Sequence, residues 1–358
     1  MIKFNKKLGY HCFTQPSDFS FVLGGQINPL IQVFETYGTL SSNADNAILI
    51  HHALSTNSHI KAHDHNKATG WWENMVGPGK PLDTNKYFII CINNLGSCFG
   101  SSGPASINPA THQAYRADFP TVTIDDMVHA QYLVLNALGI KRLHAIMGNS
   151  MGAMLTLRWL IDYPDSVNYA VMTSSCYKPY PANIANRVVQ REIIQLDPDW
   201  QNGYYTTNPQ RGLITARKLG HFTYRNPQSL NDKFLNDQKQ LPTHQCEIEN
   251  YLTYNAQKFA SQFDTNSYLY LMMAMDLFDI HRGYADLASA IQRIKAKTLI
   301  ISVDSDILFL PQQQKEMHQL LTQHNVDSQF ITLNSPYGHD TFLVETDRIG
   351  KYMVDFIT

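Results

Sequence analysis

The sequence predicts an α/β fold built on a mostly parallel sheet, and three observations carry that expectation. Short apolar runs recur along the chain, each ending in a turn of glycine or small polar residues and followed by an amphipathic, helix-like stretch. That rhythm stops between about 177 and 290 and resumes near the C-terminus. A chain of 358 residues is long enough for one large core that carries an insertion.

The elements follow in order. Residues 46–50 (NAILI) form an apolar run ending in the loop HHALSTNSH, and 87–92 (YFIICI) form another ending in NNLGSCFGSSGP. Thr123 has the character of an N-cap, with Asp126 three residues on. The helix it opens carries Met127, Ala130, Leu133, Val134 and Leu138 on one face and closes at Gly139. A strand at 142–147, a helix from about 151 to 162 and a strand at 167–173 come next. Residues 297–303 (KTLIISV) and 328–333 (SQFITL) supply two more strands. The interval 177–290 is helical in pattern, rich in Asn, Gln and Tyr, and broken by Pro and Gly near 180–183, 198–212 and 220–227. Too few strand signals remain there for a second core. The chain is therefore expected to form one core domain from 1–176 and 291–358, with a helical lid inserted at 177–290.

Composition narrows the function. A net charge of −2 argues against a broad electrostatic pull on nucleic acid or an anionic membrane. No uninterrupted apolar stretch is long enough to span a bilayer, and the N-terminal MIKFNKKLGYHCF lacks the apolar segment of a secretory signal. The five cysteines, Cys12, Cys91, Cys98, Cys176 and Cys246, are scattered and odd in number, which suits reduced thiols in a cytosol. Fifteen histidines include a cluster of His51, His52, His59, His63 and His65. Its spacing matches no tetrahedral zinc pattern, so no metal is expected and these are read as solvated loop histidines.

The sharpest feature is Gly148-Asn149-Ser150-Met151-Gly152, placed between the strand-like RLHAIM and a helical run. In that context a G-x-S-x-G string makes a nucleophile elbow: the chain reverses so tightly that the serine is lifted above the carboxyl edge of the sheet at a helix start. There the amide of Met151 and the helix dipole stabilise negative charge. A serine hydroxyl becomes a useful nucleophile only when a base takes its proton and a carboxylate orients that base. Asp304 and Asp306 follow the strand KTLIISV, and His339 follows SQFITL inside Gly338-His339-Asp340. The order Ser, Asp, His is that of the α/β-hydrolase fold, although the pattern alone leaves Asp304 and Asp306 both open. A second oxyanion donor is expected from the loop after NAILI, with the amide of Leu54 as the candidate.

These residues, together with GWWENMVGPGKPLDTNKYFIICINNLGSCFGSSGPASINPAT, DFPTVTIDDMVHAQ, GLITARKLGHFTYR, ENYLTYNAQKFASQFDTNSYLYLMMAMDLFD, SVDSDILF and GHDTFL, resemble the homoserine O-acetyltransferases from about residue 30 to 345. The resemblance implies an α/β-hydrolase core with a helical lid. It also implies a ping-pong reaction in which acetyl-CoA, a co-substrate and the only cofactor-like molecule expected, acylates Ser150 before L-homoserine accepts the acetyl group. By the resemblance the orienting carboxylate is Asp306, the base is His339, and Arg217, Tyr224 and Asp340 bind homoserine. A guanidinium suits a carboxylate, and an anion beside the base suits an ammonium. Because family members are often dimers, a homodimer is a possible partner state.

The chain departs from the family pattern at several places. Asn149 and Ala153 stand where the elbow usually has glycine, Ser55 and Thr56 replace a Thr-Gly pair, and Ser97 replaces a glycine. These changes narrow or polarise the site and bear on donor and acceptor preference. Some family members transfer succinyl groups and tend to carry an arginine after the catalytic aspartate. Here Ile307, Leu308 and Phe309 follow Asp306, so a succinate carboxylate finds no partner in that segment and acetyl is favoured. An ester hydrolase using the same triad and a non-enzymatic binding protein on the same fold are the remaining readings.

Overall fold

The computed structural model describes residues 1–235 and 246–358. Its centre is a nine-stranded sheet whose strands are β1 (Ile2–Asn5), β2 (Tyr10–Gln15), β3 (Leu30–Tyr37), β4 (Ala47–His51), β5 (Phe88–Ile92), β6 (Leu143–Asn149), β7 (Val167–Thr173), β8 (Lys297–Val303) and β9 (Ser328–Leu333). The spatial order is β1-β2-β3-β5-β4-β6-β7-β8-β9. From β5 to β9 every pairing is parallel, whereas β1, β2 and β3 run antiparallel at one edge. The six parallel strands are those that the apolar runs predict, within two residues at each end. The three antiparallel ones give no such signal: β1 and β2 are half-exposed and partly polar, and β3, though mostly buried, interrupts its apolar residues with Gln32, Glu35 and Thr36.

Residues on each parallel strand alternate between two apolar layers, as the twofold period of a strand requires. Ala47 and Leu49 of β4 face one side, with Ile146 of β6 and Met172 of β7; Ile48, Ile50, Met147 and Val171 face the other. Helices α1 (Ile124–Ala137) and α2 (Met151–Asp162) cover the first side. Thr123 and Asp126 form a reciprocal capping box at the start of α1, as expected. At its end Gly139 takes φ of 75°, with Gly139 N–H on the Asn136 carbonyl and Ile140 N–H on the Leu135 carbonyl, both at 3.0 Å. The second layer is closed by Trp72, Met75 and the C-terminal helix Thr346–Ile357.

Between β7 and β8 the described chain adds no strand. It forms α3 (Pro181–Gln195), α4 (Arg211–Tyr224), α5 (Pro227–Phe234), α6 (Glu247–Ala260), α7 (Thr265–Asp276) and a short helix at Leu287–Ile291, with a 3₁₀ turn at Pro198–Gly203 between α3 and α4. Part of the expected insertion at 177–290, residues 236–245, lies outside the described residues. Among the described residues no helix is long and apolar enough to cross a membrane.

Candidate active site

Ser150 sits between β6 and α2 with φ of 56° and ψ of −122°, a backbone conformation that costs a side-chain-bearing residue about 1–3 kcal/mol. Close packing over-determines it. A Cβ on Gly148 would lie 2.1 Å from the Gly152 carbonyl oxygen, and one on Gly152 would lie 2.0 Å from that of His51. The two glycines are therefore demanded by contact between backbones. The Ser150 amide donates to the Thr173 carbonyl (2.9 Å), and its own carbonyl accepts from Ser175 Oγ (2.8 Å) and the Ala153 amide (3.0 Å).

His339 and Asp306 come from the ends of β9 and β8. Nδ1–H of His339 donates to Asp306 Oδ2 (2.9 Å), and Asp306 Oδ1 accepts from the amides of Leu308 and Phe309, both at 2.9 Å. Asp306 is 1 % exposed, so all its acceptor capacity is turned inward. Asp304 plays a different part. It is exposed and accepts from Asn334 Nδ2 (2.7 Å) and the Ser335 amide (3.1 Å), bracing the turn before His339. The geometry thus separates two aspartates that pattern leaves equivalent. Ser150 and His339 line one cavity of about 110 Å³, with Ser55, Arg217, Tyr224 and Asp340.

The loop after β4 presents Leu54 to the same space. Its preceding carbonyl, that of Ala53, accepts from His52 Nδ1 (2.8 Å), Thr56 Oγ1 (3.1 Å) and the Thr56 amide (3.2 Å). Because a trans peptide points N–H opposite to C=O, three donors on the oxygen fix the direction of the Leu54 amide. His52 is itself fixed: its Nε2 accepts from the Asn94 amide (3.0 Å), and Gln131 holds the Asn94 side chain (2.9 Å). Burial holds His51 down to about 3 and His52 down to about 4, so both rings are neutral. The expectation of solvated loop histidines is wrong for these two, which are wholly buried. The alternation of β4 carries His51 into the interior, and His52 serves as a bracket for the loop.

Further along that loop His59 and His63 meet Glu35 of β3, the three bring donor atoms within 4.8 Å of one another, and they are the described side chains best placed to hold a metal ion. Each is already hydrogen-bonded: Glu35 Oε2 accepts from His59 Nδ1 (2.8 Å), His63 Nε2 (2.9 Å) and the Tyr37 hydroxyl (2.9 Å). Burial disfavours charge on His59, but its bonds to Glu35 and to the Ala68 carbonyl outweigh that and raise its pKa.

The three side chains expected to hold an amino acid all reach the Ser150 cavity. Arg217 is 5 % exposed and has no carboxylate partner among the described residues. Its Nη1 donates to the Tyr224 hydroxyl (2.9 Å), its plane lies over the rings of Phe259 (4.3 Å) and Tyr224 (4.9 Å), and its Nε is buried without a partner. Asp340 pairs with Arg225 at 3.0 Å, yet burial raises its carboxyl pKa. Burial, with Arg217 and Arg225 adding repulsion, holds His221 down to about 3, so that ring brings no charge.

A second, smaller cavity of about 30 Å³ also borders Ser150 and is lined by Leu54, Leu308, Phe309, Met272 and Met275, together with Asn186, Arg187 and Gln190 of α3. Sequence reasoning missed the α3 residues. The available signal was the buried spacing Asn183, Arg187, Gln190 and Ile194, a helical stripe that is largely polar.

The profile of the alpha/beta hydrolase fold family matches residues 46–346. A homoserine O-acetyltransferase from Pelobacter propionicus is 42 % identical over 341 residues, covering 93 % of this chain and 92 % of that protein. A serine O-succinyltransferase from Stenotrophomonas maltophilia is 43 % identical over 356 residues, covering 96 % and 95 %. The crystal structure of esterase E22 superposes with a TM-score of 0.88 at 31 % identity, covering all of both chains.

Proposed function

This chain belongs to the homoserine O-acetyltransferase family of α/β hydrolases, and from that premise we propose that it moves an acetyl group from acetyl-CoA, through an ester on Ser150, to the side-chain hydroxyl of L-homoserine. Ser150 Oγ attacks the thioester carbonyl while His339 takes its proton, with Asp306 holding the imidazole in the required tautomer and stabilising its charged form. The amides of Leu54 and Met151 receive the oxyanion. The C–S bond breaks, and His339 returns the proton to the CoA thiolate. The homoserine hydroxyl then attacks the ester, His339 takes its proton, and Ser150 Oγ leaves and recovers that proton. Acetyl-CoA acts as a co-substrate, and the steps use no resident cofactor.

The observation that carries this reading is Arg217: a buried guanidinium facing the Ser150 cavity with no carboxylate of its own among the described residues. Burying a charge without a counter-ion is costly, and the α-carboxylate of an amino acid supplies the missing partner. Tyr224 orients that guanidinium, and Asp340 faces the ammonium end. Five free cysteines support a reducing compartment such as the cytosol.

Two observations favour neighbouring readings. Similarity to a serine O-succinyltransferase, with Ser55 and Thr56 beside the site, supports L-serine as acceptor. Similarity to esterase E22 supports hydrolysis through the same acyl-enzyme. The 6 % exposure of Ser150 works against water as the principal acceptor. The test is thiol release from acetyl-CoA by the purified protein with no acceptor, with L-homoserine and with L-serine, using Ser150→Ala as the blank. Release that depends on homoserine supports the proposal. Dependence on serine alone moves the acceptor, and release indifferent to both makes water the acceptor.

A further inference from the structure

We propose that Glu35, His59 and His63 form a binding site for one divalent transition-metal ion of the zinc class, which ties the loop after β4 to β3. None of the three belongs to the catalytic machinery, so this site stands or falls apart from the acyl transfer proposed above.

Strand β3 carries Glu35 into the interior, where it is 4 % exposed, and the chain after β4 brings His59 and His63 to the same carboxylate. Oε2 of Glu35 lies 2.8 Å from Nδ1 of His59 and 2.9 Å from Nε2 of His63. Among the described residues this is the one group of three such side chains whose donor atoms lie within 4.8 Å of one another. Two imidazoles and one carboxylate suit zinc, cobalt or nickel, whereas magnesium and calcium take oxygen ligands.

His59 is wired as a metal ligand. Its Nε2 lies 2.8 Å from the Ala68 carbonyl, which can only accept, so Nε2 carries a proton. A neutral ring then turns the lone pair of Nδ1 toward the Glu35 carboxylate. Two electron-rich atoms 2.8 Å apart are held together only by a cation between them, a proton or a metal ion. Donation of the far N–H to a backbone carbonyl is the usual outer support of a zinc-bound histidine. The Asn66 side-chain nitrogen, 3.3 Å from Nδ1, and the Tyr37 hydroxyl, 2.9 Å from Oε2, complete the polar surround. At His63, coordination through Nε2 places the proton on Nδ1 and gives up the long 3.3 Å bond from the His65 amide.

The backbone around the histidines is fixed before an ion arrives. The His63 amide donates to the Asn66 carbonyl (2.8 Å), and the Asn66 amide donates back to the His63 carbonyl (3.1 Å). Glu73 accepts from the amides of Ala62 (2.8 Å) and Gly70 (3.0 Å), which clamps both flanks. Zinc bonds of about 2.0–2.1 Å set tetrahedral ligands roughly 3.3 Å apart, so each gap to Oε2 opens by about 0.5 Å. Asp64, His65, Lys67 and Ala68 are exposed, which leaves a path from solvent, and water takes the fourth position. Binding releases to solvent the proton held between Nδ1 and Oε2.

The test takes the full chain, stripped by a chelator, and titrates it with zinc chloride in a calorimeter, with magnesium chloride as the control and cobalt(II) as an optical probe. Wild type should bind one equivalent of zinc and no magnesium, and its melting temperature should rise by about 2 °C or more at saturation. The cobalt form should show visible d–d bands without thiolate charge-transfer absorption, which separates this site from the exposed thiol of Cys246. His59→Gln and His63→Gln should each weaken zinc binding on the order of 100-fold, while His281→Gln, at an exposed histidine, leaves it unchanged. Thermal melts show whether each variant is folded. Wild type that binds no zinc, or folded variants that bind as tightly as wild type, overturns the site. If a variant does not fold, wild-type crystals grown with zinc decide: anomalous scattering between Glu35, His59 and His63 upholds the site, and scattering elsewhere alone overturns it. Failure of acetyl-CoA to acylate Ser150 in the same preparation bears on the proposed function and leaves the metal site standing.

Discussion

Nδ1 of His339 and Oδ2 of Asp306 lie 2.9 Å apart, and the remaining oxygen of Asp306 is occupied by two backbone amides. The carboxylate is thus held in one rotamer, with one lone pair presented to one imidazole. Asp306→Asn preserves the shape and reverses the hydrogen bond, so His339 takes the wrong tautomer. We expect kcat to fall by about 10⁴, with a melting temperature close to wild type, read by steady-state CoA release and calorimetry. Asp304→Asn, which alters only the neighbouring brace, should cost less than about tenfold. Equal losses would mean that the two aspartates act together on the imidazole.

On the proposed mechanism Arg217 bears on the acceptor half of the reaction alone. Arg217→Ala should lower kcat/KM for L-homoserine on the order of 100-fold, while the single-turnover acylation of Ser150 by acetyl-CoA changes by less than about threefold. Equal loss in both half-reactions would show that the guanidinium supports the lid rather than the substrate.

Gly152 is a stability prediction. A methyl group placed there would stand 2.0 Å from the His51 carbonyl oxygen, which belongs to a buried strand with no room to retreat. Gly152→Ala should cost about 3 kcal/mol or more and lower the melting temperature measurably. Ala153→Gly, one residue on, adds a glycine inside a helix and should cost only about 1 kcal/mol. The order of the two is the check.

His52 makes stability depend on pH. Its pKa in the folded protein is held down to about 4, against about 6.5 in the unfolded chain. The unfolded state therefore binds the extra proton first. The neutral ring adds no pH dependence above about pH 6.5, and stability falls as pH drops from there toward 4, by an amount on the order of 3 kcal/mol for this group. His52→Gln should flatten the slope of unfolding free energy against pH in that window, as read from urea titrations. A slope that does not change would mean that His52 is not the group responsible.

Much of the molecule was legible in the sequence because the information is local. Five of the six parallel strands are largely buried on both faces and therefore write near-continuous apolar runs, and the edge strand β9, far less buried, is marked by Phe330, Ile331 and Leu333. Helix α1 begins at a capping box and ends at a left-handed glycine, both readable within one turn. The elbow needs glycine at 148 and 152 because backbones touch there, and a requirement for no side chain leaves an unmistakable trace. The antiparallel strands Ile2–Asn5 and Tyr10–Gln15 left none, since a half-exposed edge tolerates mixed residues, and Leu30–Tyr37, though mostly buried, breaks its apolar run with Gln32, Glu35 and Thr36.

By itself, then, the sequence determined the parallel part of the sheet, the elbow that carries Ser150, the candidate base His339 and the family to which the chain belongs, all fixed by neighbours in the chain or by strict order along it. Tertiary structure alone decided which aspartate turns inward, why His51 and His52 are buried, and where charge is left uncompensated. Arg187 and Asp276 are far apart in sequence, as are Glu35 and His63, and no periodicity reports that such pairs meet. Whether a buried guanidinium is paired or waiting for a partner depends on what folding brings within 3 Å of it, and only the packed lid answers that.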